Sequence, residues 1–276
     1  MLPLSPKHAL QMRRERLDVC SDTLSVGLNF MDRLLGGGFQ RGTFLEITGD
    51  EGSGKTTLAL QMTAGVQAQG RHCLWVDAER SFDSQYARQL GVDTDSLLMA
   101  GYEDGDFIMR LLAEFVASDE VELIVVDTLS ALPSYSDLKS ISDPIGTHTA
   151  RIRKWVQWLA KQKPYGRCCV VFLSQLRDVP VPEVGNMSVS ASGRLDDFCE
   201  MSIALEKKQP LCQDGVRIGT EIDVRVIRNL IGGQPLHSIR PLVVGRGFID
   251  ETSGNGTPQS DSSDSIYINA PHRPSL

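Results

Sequence analysis

Hydrophobic and polar positions along the chain alternate between two periods. TFLEIT (43–48) is an apolar run that predicts a strand feeding a glycine-rich turn. Lys55 to Gln69 then follows helical spacing, and HCLWVD (72–77) predicts a second strand ending on an acid. Over 105–117, Phe107, Ile108, Leu111, Leu112 and Phe115 recur on one helical face. VELIVVD (121–127) is almost continuously apolar, the pattern of a strand covered on both faces. Ile145, Thr149, Ile152, Val156 and Leu159 return to helical spacing, and CCVVFLSQ (168–175) predicts another buried strand. CEMSIALE (199–206) and TEIDVRVIR (220–228) follow with no helix between them. The alternation predicts a three-layer α/β domain with a mostly parallel twisted sheet and a C-terminal antiparallel extension.

The ends differ from this middle. Residues 1–17 are polar and partly basic, with Lys7, Arg13, Arg14 and Arg16, and a short helix is expected over 6–16 as an N-terminal arm. Residues 251–276 are rich in Ser, Gly, Asn, Pro and Asp, a composition that predicts a disordered polar tail. The core is expected over 18–250. No internal repeat is visible.

Composition narrows the class. Of 276 residues, 41% are hydrophobic and 23% charged, which excludes collagen-like, mucin-like and wholly disordered chains. No stretch approaches the roughly 18 uncharged apolar residues of a membrane span, and the first 20 residues lack the basic-then-apolar order of a leader. The six cysteines (20, 73, 168, 169, 199 and 212) form no C-x-x-C pair, so zinc spacing is absent and a reduced, cytoplasmic location without membrane association is expected. The net charge of −7 gives no basic footprint for nucleic acid, but net charge does not say where charge sits.

The chemistry begins after the first strand. Gly49, Asp50, Glu51, Gly52, Ser53, Gly54, Lys55 and Thr56 match G-x-x-x-x-G-K-[ST], and Thr57 continues into the predicted helix. Glycines let backbone N–H groups wrap phosphate oxygens, and the helix offers its positive end to the anion. Lys55 reaches the terminal phosphates, and Thr56 places a hydroxyl on Mg²⁺. Asp127, ending LIVVD, supplies a second metal-shell group. Glu79, at the end of the second strand, is the candidate to orient or activate water.

These pieces together resemble the RecA family of DNA recombinases over about residues 18–249. The resemblance is carried by the phosphate loop, by VDAERSFDSQYARQLGVD, by VELIVVDTLSALPS and by VVFLSQLRD. It implies ATP and Mg²⁺ as cofactors and Glu79 as the catalytic glutamate. It implies that Asp83 and Tyr86 lie on the adenine side, with Tyr86 stacking on the base. Gln175 would sense the γ-phosphate and relay it to a second DNA-binding loop at about Asp178–Asp197. That loop contains Gly185, Asn186, Ser192, Gly193 and Arg194, with Arg177 just outside. The first DNA-binding loop would lie near Ser136–Thr147, with Arg151 on the helix behind it. Arg228 would reach a neighbouring subunit's nucleotide.

The departures are specific. A second intersubunit lysine of the family is Leu230 here, and an arginine behind the first loop is Trp158. The second loop carries Asp178, Glu183, Asp196 and Asp197 against Arg194, which weakens a contact dominated by phosphates. The usual Gly-Gly pair near its end is Ser192-Gly193, and the tail stands where the family has a C-terminal domain. The leading expectation is an ATP-dependent recombinase and DNA-dependent ATPase, forming a homo-oligomeric filament on single-stranded DNA in recombination and repair. The alternative is a RecA-like regulator that binds ATP and a protein partner such as another recombinase, with weak or no use of DNA. A ring-forming motor is argued against by YARQLGVD and LSQLR, and a small-molecule kinase by the lack of an arginine-rich lid.

Overall fold

The computed structural model describes residues 23–101, 105–118, 120–132, 145–162, 167–181, 185–190, 195, 197–231 and 237–250. A small antiparallel pair, β1 (Thr23–Leu24) and β2 (Phe39–Gln40), brackets α1 (Asn29–Leu34). Then follow β3 (Phe44–Gly49), α2 (Lys55–Gln67), β4 (Cys73–Asp77), α3 (Ser84–Gln89) and β5 (Leu98–Ala100). They are succeeded by α4 (Gly105–Ser118), β6 (Leu123–Asp127), a 3₁₀ turn (Leu129–Ala131) and α5 (Ile145–Ala160). The remainder is all strand: β7 (Cys169–Val181), β8 (Gly185–Ser190), β9 (Met201–Gln213), β10 (Val216–Asn229), β11 (His237–Val243) and β12 (Gly247–Phe248).

Ten strands form one sheet in the order β12-β11-β10-β9-β3-β7-β6-β4-β5, with β8 paired to β7. β3 is central, parallel to both β7 and β9, and β6, β4 and β5 continue the parallel half. Each of these parallel neighbours is reached through a long connection, as parallel pairing requires. The other half is antiparallel, with short turns joining β9 to β10 and β11 to β12. Between β9 and β10 the turn is Asp214-Gly215, both at positive φ (51° and 77°), the backbone that a two-residue hairpin demands.

The apolar runs split between the two faces. On β6, Leu123 and Val125 join one core while Ile124 and Val126 join the other. β7 divides in the same way, Val171 and Leu173 against Val170 and Phe172. The first core is covered by α1 and α2, the second by α4 and α5. Continuous apolar sequence therefore does mean burial on both faces, and the expected three layers are present.

Some boundaries differ from the sequence reading. The helix after the phosphate loop stops at Gln67 rather than Gln69, where Gly70 takes a positive φ of 70°. The segment expected as the second DNA-binding loop contains a β-hairpin: β7 runs on to Val181 and pairs with β8 from Leu176↔Ser190 to Val181↔Gly185. The arm, most of the first loop and the tail lie outside the described residues.

Candidate functional site

The sheet places its chemistry at the C-terminal ends of β3, β4 and β6 and beside them at Gln175, midway along β7. β3 ends at Gly49, which cannot carry a side chain: a Cβ there would lie 2.7 Å from the Leu205 carbonyl oxygen of β9. Gly54 precedes α2 at φ +91°, a conformation L side chains rarely adopt. Between them the chain wraps into the predicted phosphate loop, and α2 starts directly at Lys55.

Lys55 is buried, and its Nζ donates to the carbonyl oxygens of Gly49 and Asp50, both at 2.8 Å. Burial pulls its ammonium below the ordinary lysine range, against the attraction of Asp127, Asp50, Glu79 and Glu51. Thr56 Oγ1 donates to Asp127 Oδ2 at 2.9 Å, so the two groups expected to hold a metal already meet. Burial pushes the Asp127 carboxyl up to about 6, opposed by the Thr56 bond, aided by the Glu79 and Asp77 carboxylates and opposed by Lys55.

Glu79 reaches the same place from the end of β4. Ala78 N–H donates to Asp127 O at 2.9 Å, joining the ends of β4 and β6. Asp77 is buried and accepts from Ser81 N–H (2.9 Å) and Phe82 N–H (3.1 Å), which turns the chain back just beyond Glu79. Thr128 Oγ1 donates to Glu79 Oε1 at 2.8 Å and lies 3.2 Å from Ser130 Oγ. Gln175 sits on β7 in register with Gly49 of β3. Glu51, Gly52, Gly54, Lys55, Thr56, Thr57, Glu79, Asp127, Thr128 and Gln175 line one cleft of about 250 Å³.

The donor set suits Mg²⁺. A hydroxyl and a carboxylate are hard oxygen ligands, and Mg²⁺ takes one or two such protein groups and completes its shell with phosphates and water.

A family model described as the RecA N-terminal domain matches residues 7–248. The chain belongs to the RecA family. It is 34% identical over 229 residues to Protein RecA of Mesoplasma florum, covering 82% of this chain and 69% of that one. Protein RecA of Mycoplasma genitalium is 31% identical over 235 residues, covering 83% and 69%. That of Prochlorococcus marinus is 32% identical over 216 residues, covering 76% and 56%.

The other residues singled out from the RecA resemblance are spread over several elements. Asp83 caps α3, accepting from Gln85 N–H (2.9 Å) and Tyr86 N–H (3.0 Å), and Tyr86 Oη lies 2.9 Å from Thr57 Oγ1 beside the phosphate-loop helix. Neither residue lines the cleft. Arg228 stands on β10 opposite Ser202 and is also not part of the cleft lining. Arg151 lies in α5, Arg177 on β7 opposite Val189, and Gly185 and Asn186 on β8. Ser192, Gly193 and Arg194 lie outside the described residues.

Two features escaped the sequence reading. Thr128 directly follows Asp127, and the hydroxyl at that position was its available signal. Gln61 of α2 exchanges two bonds with Phe248 (Nε2 to O, 3.0 Å; N to Oε1, 2.7 Å), fixing β12 against the phosphate-loop helix. No local pattern marks that contact.

Proposed function

We infer that this chain is an ATP-dependent DNA recombinase that assembles as a homo-oligomer on single-stranded DNA and acts in recombination and repair. The observation that carries the reading is convergence: Lys55 and Thr56 of α2, Asp127 of β6, Glu79 just after β4 and Gln175 of β7 meet in one cleft. The core 18–250 holds this machinery, with the arm and tail as appendages.

Each residue has a task in hydrolysis. The loop N–H groups and Lys55 bind the β- and γ-phosphates, and Lys55 exchanges its bonds to Gly49 and Asp50 for phosphate oxygens. Thr56 and Asp127 would hold Mg²⁺, which neutralises charge on the phosphate oxygens. Glu79 orients and deprotonates the attacking water, and Thr128 fixes the carboxylate through Oε1, leaving Oε2 for that water. Tyr86 and Asp83 serve the adenine side. Gln175 meets the γ-phosphate at the root of the β7–β8 hairpin, so nucleotide state reaches the segment carrying Arg177, Gly185, Asn186, Ser192, Gly193 and Arg194. With Arg151, these residues contact the DNA. Arg228 completes a neighbour's site, where a guanidinium suits phosphate.

The experiment is electron microscopy of the protein on long single-stranded DNA with Mg²⁺ and a slowly hydrolysed ATP analogue. Regular helical filaments, lost in Lys55→Ala, are expected. Closed rings or unassembled protein under saturating nucleotide would remove the recombinase reading.

A further inference from the structure

The phosphate loop is held from two sides. Inside, Lys55 takes the carbonyls of Gly49 and Asp50. Outside, Lys207 Nζ donates to the next carbonyl along, that of Glu51, at 2.9 Å. We propose that Lys207 is a positioning residue for nucleotide binding, an external clamp that orients the phosphate-loop backbone for the incoming phosphates. The proposal rests on the ATP reading above.

The sheet explains why a residue of β9 reaches the loop. β9 runs parallel to β3, and their register ends at Gly49↔Leu205. There β3 turns into the loop, while β9 continues straight to Gln213. Leu205 is buried against Gly49. Side chains alternate along a strand, so Lys207, two residues on, leaves the same face and stands beside the loop.

Peptide geometry gives the contact its consequence. The Glu51–Gly52 peptide is trans, so its N–H points opposite its C=O. An ammonium holding the Glu51 oxygen outward turns the Gly52 N–H the other way, towards the cleft that both residues line. Glu51 and Gly52 are exposed at the centre of a turn closed by Ser53 N–H donating to Asp50 O at 3.2 Å, and Gly52 has a φ of +72° with open space where a Cβ would stand, so besides that turn bond Lys207 is the side chain that holds this peptide's oxygen. Lys207 itself is exposed and does not line the cleft. It therefore acts through the backbone rather than on the nucleotide. The clamp matters most when phosphate enters, because Lys55 is then drawn away from its two carbonyls and Lys207 remains as a cation on the loop's outer side.

The test uses full-length protein, Mg²⁺ with ATP or a slowly hydrolysed analogue, and the variants Lys207→Met and Lys207→Arg. Lys207→Met keeps the aliphatic stem and loses the donor, and it is expected to raise the nucleotide Kd and KM roughly three- to tenfold, the scale of one exposed charge-assisted bond. The kcat should stay within about twofold, because a contact made equally in ground and transition states moves KM alone. Lys207→Arg restores a donor and should recover most of the affinity. The nucleotide-free melting temperature should be the same in all three proteins. Affinity in Lys207→Met within about twofold of wild type would overturn the clamp. So would a loss that Lys207→Arg does not recover, or one matched by a lower nucleotide-free melting temperature. Wild-type protein that binds no nucleotide would overturn the ATP reading itself, and the clamp with it.

Discussion

At the scale of single residues, the site is a set of charges held in tension by burial. Lys55 and Asp127 are both buried, and burial disfavours the charged form of each. For Asp127 the folded-state pKa is about 6, above its ordinary value of 3.8. The stabilising contribution of such a group is complete below the unfolded value and is lost as pH rises through about 6. Metal-free protein should therefore lose thermal stability from about pH 4 to about pH 7, and Asp127→Asn should flatten that slope in a melting series. On the proposed metal role Mg²⁺ needs the ionised carboxylate, so the Mg²⁺ required for nucleotide binding should rise as pH falls below about 6. An Asp127→Asn protein with the wild-type slope would remove burial of this carboxyl as the cause. In the proposed mechanism Glu79 serves the chemistry rather than nucleotide binding. Glu79→Ala should bind Mg·ATP within about threefold of wild type and lose at least about a hundredfold in turnover. Lost binding in equilibrium titration would make the residue structural instead.

At the scale of elements, the central strands were legible because both faces are buried, leaving unbroken apolar runs such as LIVVD. The phosphate loop was legible because its glycines answer local backbone demands. The long β7–β8 hairpin was not: its segment carries Pro180 and Pro182, which read as the stiff start of a loop, yet Pro180 sits in the pairing opposite Asn186. Three-residue β5 is too short to show a period. The Asp214-Gly215 turn did carry a local signal for the β9–β10 hairpin. Contacts between distant segments carry none, and Asp250 is the clearest case. The N-cap residue Leu28 of α1 makes no side-chain cap bond; Asp250 supplies one across the whole domain, accepting from Asn29 N–H and from Phe30 N–H at 3.1 Å. Asp250→Ala should cost about 1 kcal/mol, as cap removal does. An unchanged denaturation midpoint would mean that α1 is held by its apolar face alone.

At the scale of the whole molecule, the unresolved balance in the sequence was between a complete phosphate site and an acidic DNA segment. The family assignment and the convergent cleft favour catalysis, and Arg228 extends the argument to assembly. It stands on β10 apart from its own subunit's cleft. Arg228→Ala should lower turnover in assembled protein and leave it unchanged under dilute, unassembled conditions. An equal effect in both would end its role towards a neighbour.

The measurement that bears most directly on the central claim is ATP hydrolysis with and without single-stranded DNA across a salt series. A recombinase predicts strong stimulation that fades as salt rises, because phosphate contacts release counterions. Turnover indifferent to DNA at every salt concentration would contradict it and leave an ATP-binding regulator in its place.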